Sequence, residues 1–316
     1  MQPTGLVLRR VALCVMLVSS IIAIIIMSGE SSTEIKGDMV ESSVSSFESL
    51  ELEVKKEADA EETRDDKIAL FVNYVQVSGV TTQLDGDEVY VPARFFAEAM
   101  LDCKVIYSSS SKTLTITADG LSFKATCGNS YIVANERYLY IEQGIALRED
   151  GQIWLPVSVL SKVFGIEYTF DESSKSVYLT PTGNFIKSGS KFYNSKDLYW
   201  LSRIISAESR GEPLYGQLAV GTVVMNRVAH KKYPNTIYGV IFDGAQFSPA
   251  VSGSVYKTPH EKSVIAAKII LEGYRVNENI IFFHSISSSN TKYQNFVNTD
   301  TEMVIGRQFF YTVYKK

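Results

Sequence analysis

The chain has 316 residues, 45% hydrophobic and 21% charged, with a net charge of −4; at roughly 150 residues per domain this is room for about two domains. Its 20 Gly and 8 Pro exclude a collagen-like or wholly disordered chain, and three His with three Cys exclude zinc ribbons and disulfide scaffolds. Charge is uneven: residues 28–66 hold thirteen acids against four bases, residues 194–316 fourteen bases against nine acids, an excess too slight to point to nucleic acid.

Arg9-Arg10 precede an apolar run over residues 11–27 interrupted only by Ser19-Ser20. A basic pair followed by such a run reads as a secretory signal or a membrane anchor. The run ends Ile-Ile-Ile-Met-Ser-Gly, with large side chains where signal peptidase needs small ones. The expectation is therefore an anchor in the cytoplasmic membrane through residues 11–27, with the basic end inside the cell. Everything after residue 30 is then extracytoplasmic, at the cell envelope; secretion after signal cleavage is the alternative. Cys14 lies mid-run behind Leu13, which does not fit a lipoprotein signal. Residues 28–66 are rich in Ser and Glu, with Phe47 their only aromatic residue. Such a segment self-repels and buries too little apolar surface to offset its chain entropy, so it reads as an acidic, disordered linker.

Residues 67–181 hold a repeated unit. Glu88-Val89-Tyr90-Val91-Pro92 returns as Gln152-Ile153-Trp154-Leu155-Pro156, and each copy runs into a helix-period stretch, residues 94–101 and 158–164. Each then ends in two alternating segments around a Ser-rich turn, 104–107 with 113–116 and 167–170 with 176–179, the pattern of a hairpin with one buried face. Two copies suit a pseudo-symmetric pair, not a solenoid. This strand, helix and hairpin pattern resembles the copper amine oxidase N-terminal-like domain. The resemblance implies a wall-binding or spacer role, and the name carries no chemistry here: no His lies between residues 67 and 193, so copper has no imidazole to bind. Cys103 and Cys127 are either a disulfide or two separate small core residues.

Residues 194–316 change period. Residues 197–210 read as an amphipathic helix with Leu198, Leu201, Ile204, Ile205 and Glu208 along one side. A carboxylate on an apolar face is costly unless paired or used, and burial raises its pKa, which suits a general acid. Pairing with Arg227, or a turn to solvent at the helix end, is the bland alternative. Gly211-Glu212-Pro213 stops this helix and starts a second over residues 214–228. Thr258-Pro259-His260-Glu261 reads as a capping box opening a third helix that closes at Gly273. Residues 280–284 and 308–313 read as short strands, giving a mostly helical domain with a small β element.

The order Ile205-Ser206-Ala207-Glu208-Ser209-Arg210-Gly211-Glu212-Pro213, Gly216-Gln217-Leu218-Ala219-Val220 and Val224-Met225-Asn226-Arg227-Val228 resembles the SleB-type cell wall hydrolase family. The resemblance continues through Gln246-Phe247-Ser248 and Phe282-Phe283-His284 and closes at Ile305-Gly306-Arg307-Gln308-Phe309-Phe310; Ser209 stands where such a family places Ala. It implies an α+β chain ending in a lysozyme/transglycosylase-like catalytic domain, in which Glu208 cuts glycosidic bonds of peptidoglycan glycan strands without metal or cofactor. One carboxyl serves both steps of lytic transglycosylation, whereas hydrolysis needs a second. Glu212, read as structural, and Asp243 are the candidates for that second carboxylate. Glycan-contacting candidates are Gln246, Phe247, Ser248, His284 and Tyr293, with core packing the alternative for Phe247 and a structural imidazole the alternative for His284. Arg227 reads as orienting a carboxylate or the chain. Cell wall remodelling and spore cortex lysis during germination or sporulation both fit. The rival readings are a non-catalytic wall-binding or assembly protein and a zinc amidase, for which His230, His260 and His284 lack a motif.

Overall fold

The computed structural model describes residues 68–101, 103–244, 246–285 and 301–312, all within a compact unit spanning Lys67–Lys316. The expected anchor and acidic linker lie outside the described residues. Among the described residues, no helix is long and apolar enough to cross a membrane.

In chain order, β1 (Ala69–Val72), β2 (Val75–Val77), β3 (Gln83–Asp85) and β4 (Glu88–Pro92) lead into α1 (Ala93–Leu101). A meander follows: β5 (Lys104–Ser108), β6 (Thr113–Ala118), β7 (Leu121–Thr126), β8 (Tyr131–Ala134) and β9 (Arg137–Tyr140). Then come β10 (Trp154–Pro156), α2 (Val157–Phe164) and the hairpin of β11 (Ile166–Asp171) with β12 (Ser176–Pro181). The two repeat copies clasp each other, because β4 and β10 pair antiparallel with Val91 opposite Leu155. Their hairpins part company. The first opens the five-stranded meander; the second joins β1 and β2 in a sheet where β1 runs parallel to β12.

Alternation decides which face is buried. On β7, Leu121, Phe123 and Ala125 are buried while Ser122 and Lys124 face out. Phe96 of α1, Phe123 and Phe164 of α2 meet at the centre, with centroid separations of 5.7 Å and 6.2 Å to Phe164. Gly165 ends α2 in the left-handed region at φ 63°, and a Cβ there would overlap the Asn184 carbonyl. No disulfide joins Cys103 and Cys127: the first packs in this core and the second is half-buried against it.

The rest is mainly helical: α3 (Gly189–Phe192), α4 (Ser195–Ser209), α5 (Leu214–Ala229), α6 (Ile237–Phe242), α7 (Ser248–Ser252), a 3-10 turn at Ser254–Tyr256, and α8 (Glu261–Leu271). A sheet of β13 (Phe282–Ser285), β15 (Gln308–Tyr311) and β14 (Thr301–Ile305), in that order, closes it. Asn194 caps α4, its Oδ1 accepting the Lys196 and Asp197 N–H groups. Leu201, Ile204, Ile205, Leu218, Val224, Ala267 and Ile270 from α4, α5 and α8 share a second core. Each fully buried aliphatic side chain of Leu, Ile or Val type contributes about 1.5–3 kcal/mol relative to exposure.

The capping box is not realised. Helix α8 starts at Glu261, and His260 in the cap position makes no side-chain cap bond. Its N–H donates instead to Ser206 Oγ of α4 at 3.0 Å, so a tertiary hydrogen bond replaces the local one.

Candidate active site

Helix α4 buries Leu201, Ile204 and Ile205, and Glu208 lies one turn past Ile204 on the flank of that stripe, half-buried. Burial pushes its carboxyl up to about 7, against the opposing pull of the Arg227 charge. The backbone around it is fastened twice. Ser209 Oγ donates to the Ile205 carbonyl at 2.8 Å, and Gln308 Nε2 donates to the Glu208 carbonyl at 3.3 Å. Gln308 is itself buried on β15, and its Oε1 has no hydrogen-bond partner among the described residues.

Arg227 comes from the last turn of α5 and is only 4% exposed. Its Nε donates to the Ile281 carbonyl at 2.7 Å. The rings of Tyr233, Phe247 and Phe282 surround the guanidinium, with centroids 5.3, 5.1 and 5.4 Å away. Its Nη1 is buried without a hydrogen-bond partner among the described residues, and burial pushes its pKa down while Tyr233, Tyr311, Asp243 and Glu208 push it back up. Glu208 therefore lies in the electrostatic field of a fixed cation while burial pushes its carboxyl up. Such a carboxyl can release a proton and take it back, with the cation steadying the charged interval.

The other sequence candidates separate. Asp243, at the C-terminal end of α6, shares the field of Arg227 with Glu208. Glu212 is held elsewhere: 11% exposed, its Oε2 accepts the Arg307 N–H at 3.4 Å and its Oε1 lies 3.8 Å from Arg307 Nε. A Cβ at Gly306 would overlap the same carboxylate, so Glu212 is tied to the β14–β15 turn. Gln246 and Ser248 are exposed, and the Gln246 N–H donates to the Asp243 carbonyl at 3.1 Å.

Phe247, for which core packing is the alternative to glycan contact, is 2% exposed and packs in the helical core, 6.2 Å from the Phe283 ring. What it does touch is the guanidinium of Arg227. His284 on β13 is half-buried, its Nδ1 is 3.0 Å from the Tyr311 hydroxyl, and burial lowers its pKa. Tyr293 lies outside the described residues. Gln308 and Tyr311 reach the site from about 100 positions away in sequence, and short-range spacing has no signal for such partners. Among the described residues, no group of three or more His, Cys, Asp or Glu side chains converges on a metal position.

Residues 211–311 match the sequence family described as Cell Wall Hydrolase, and residues 71–179 match the Copper amine oxidase N-terminal domain family. The chain thus carries a cell wall hydrolase domain behind a copper amine oxidase N-terminal-like domain. Glu208 precedes the matched span, so its assignment rests on the geometry above. The spore cortex-lytic enzyme of Bacillus cereus is 33% identical over 101 residues, 32% of this chain and 39% of that protein. That of Bacillus subtilis is 30% identical over 91 residues, 29% of this chain and 30% of that one. The chain therefore spans well under half the length of these relatives. Among solved structures, the catalytic domain of the Bacillus cereus SleB protein is 30% identical, with 38% of this chain and 91% of that one covered at a TM-score of 0.34. The catalytic domain of a germination-specific lytic transglycosylase SleB from Bacillus anthracis is likewise 30% identical, covering 38% and 96% at the same TM-score.

Proposed function

We propose that this chain cuts peptidoglycan glycan strands between N-acetylmuramic acid and N-acetylglucosamine as a lytic transglycosylase, with Glu208 as its single acid and base. What supports the reading is the placement of Glu208, half-buried on the flank of α4 within the field of the buried Arg227 cation, with burial pushing its carboxyl up to about 7. Glu208 gives its proton to the glycosidic oxygen; the C1–O bond breaks, its electron pair stays on that oxygen, and positive charge develops at the muramic C1. The muramic 6-hydroxyl oxygen then bonds to C1 and returns its proton to Glu208, leaving a 1,6-anhydro end and a regenerated acid. Water takes no part. That fits a site in which Glu212 is occupied with the β14–β15 turn and does not serve as the second carboxylate.

In this reading residues 1–27 anchor the protein, residues 28–66 span away from the membrane, and residues 67–181 accompany the catalytic domain of residues 194–316 at the wall. Spore cortex is the substrate favoured by the named activity of the relatives. Gln246, Ser248 and His284 are the remaining candidates for glycan contact.

The test is digestion of purified cortex and of vegetative sacculi with the chain and with Glu208→Gln, the products read by mass spectrometry. Muropeptides one water lighter than hydrolysed ends, present only with the parent protein, are expected. Reducible muramic ends would overturn transglycosylation in favour of hydrolysis, with Asp243 next to examine. Wall binding without release would overturn the enzyme reading.

A further inference from the structure

Trp200, Ile204 and Glu208 follow one another at four-residue steps, so they succeed one another along a single flank of α4. Trp200 lies eight residues before Glu208, roughly 12 Å along the helix axis. Around it gather Tyr199, Tyr238, Phe242 and Tyr256, with centroids 4.9, 5.2, 5.3 and 5.8 Å from the Trp200 ring. Tyr238 and Phe242 also face each other at 4.6 Å. Part of this cluster seals the core, since Trp200 and Phe242 pack against it. The rest does not: Tyr199, Tyr238 and Tyr256 are 42%, 53% and 57% exposed. Three tyrosines left open around one half-buried tryptophan exceed what packing requires.

Position supplies the occupant. Helix α6 carries Tyr238 and Phe242 and ends at Asp243, which shares the field of Arg227 with Glu208. Two elements, α4 and α6, thus each carry residues of the aromatic cluster and lead in sequence to a residue of the carboxyl site, Glu208 on α4 and Asp243 just after α6. A polymer of pyranose rings presents alternating apolar C–H faces and hydroxyl edges. Exposed tyrosines match both, the ring face against C–H groups and the phenol as donor and acceptor.

We propose that Trp200, Tyr238 and Tyr256 form a saccharide subsite that grips the same β-1,4-linked amino-sugar strand several rings away from the bond that Glu208 cuts. This rests on the glycan-cleaving reading above and adds to it a preference for long strands. Binding energy taken up at the distant rings holds the scissile bond in register.

The experiment uses the full-length chain in mild detergent, with peptide-free glycan strands of graded length as probe. A Trp154→Phe background leaves Trp200 as the only tryptophan, since the chain has two. Quenching of its fluorescence should saturate with long strands. The joint Tyr238→Ala, Tyr256→Ala variant removes exposed rings and leaves the core intact; it should bind about tenfold more weakly. Its cleavage rate should fall on long strands and stay unchanged on the shortest that are cut. Unchanged affinity and unchanged length dependence in that variant would overturn the subsite, even where the parent protein cleaves normally. Conversely, saturable binding lost in the variant, with no cleavage by the parent, would uphold the subsite and remove the catalytic reading. Fluorescence that responds to lipid vesicles and not to glycan would assign the cluster to a membrane surface and overturn the proposal.

Discussion

The carboxyl of Glu208 carries the functional argument because its neighbourhood pulls in two directions. Burial on the flank of α4 favours the protonated form, and Arg227 favours the ionised one; burial wins, leaving the pKa at about 7 against an ordinary value of 4.5. The consequence for stability has a definite sign. A carboxyl whose pKa is raised by folding binds more protons folded than unfolded, so its contribution is full below about 4.5 and is lost as pH rises to about 7. Glu208→Gln removes that loss, because the amide stays neutral. Its melting temperature should therefore gain on the parent protein as pH rises from about 4.5 to 7, with a constant gap above. Parallel melting curves across that range would mean a solvated Glu208 with an ordinary pKa. General-acid activity should fall as pH rises through about 7, where the folded carboxyl loses the proton to be donated.

Elements were legible where the signal is local. The clasped strands β4 and β10 show in sequence as a repeated segment, and α4 and α5, expected over 197–210 and 214–228, run Ser195–Ser209 and Leu214–Ala229. What local pattern missed was decided by distant partners. Strands β7, β8 and β9 intervene between the repeat copies and break their symmetry. The start of α8 is set by Ser206 on another helix, and Phe247 is claimed by the core and by Arg227. Packing of α5 on α8 shows the same dependence. Ser263 Oγ donates to Gln217 Oε1 at 2.7 Å with both side chains fully buried, while Gln217 Nε2 donates to the Glu212 carbonyl at 3.0 Å. Ser263→Ala strands a buried acceptor and should cost about 1–3 kcal/mol. For a unit of this size that is a drop of roughly 2–4 °C in melting temperature per kcal/mol, measurable by calorimetry. Ser252→Ala, at an exposed hydroxyl, should change stability by less than about 0.5 kcal/mol. Equal effects of the two would show that the buried bond contributes nothing.

At the scale of the molecule, the repeat module and the helices are joined by a buried ionic knot. Arg137 of β9 donates from Nε and Nη2 to Glu272, just past the end of α8, at 2.7 and 2.6 Å. Lys162 Nζ lies 3.0 Å from the same carboxylate, and the Tyr193 hydroxyl donates to it at 2.8 Å. The Phe192 ring sits 3.4 Å from the guanidinium carbon, and Tyr140 meets Tyr274 at 4.2 Å beside it. Burial pushes the Glu272 carboxyl up, yet the hydrogen bonds from Arg137 and Lys162 hold it below its ordinary value. A module wired in this way cannot swing independently of the helices that carry Glu208 and Arg227. The full chain should then unfold residues 67–316 in one calorimetric transition. Arg137→Ala leaves Glu272 buried with one cation fewer, a loss of about 3–5 kcal/mol for a broken buried pair. Removing Arg94 from its exposed pair with Glu98 should cost less than about 1 kcal/mol. The Arg137 variant should also split the transition into two, the helices melting apart from the sheets. Two peaks already present in the parent protein, or a single unshifted peak in the variant, would mean that the knot joins bodies whose stabilities are independent; the sheets would then position nothing for the site on α4.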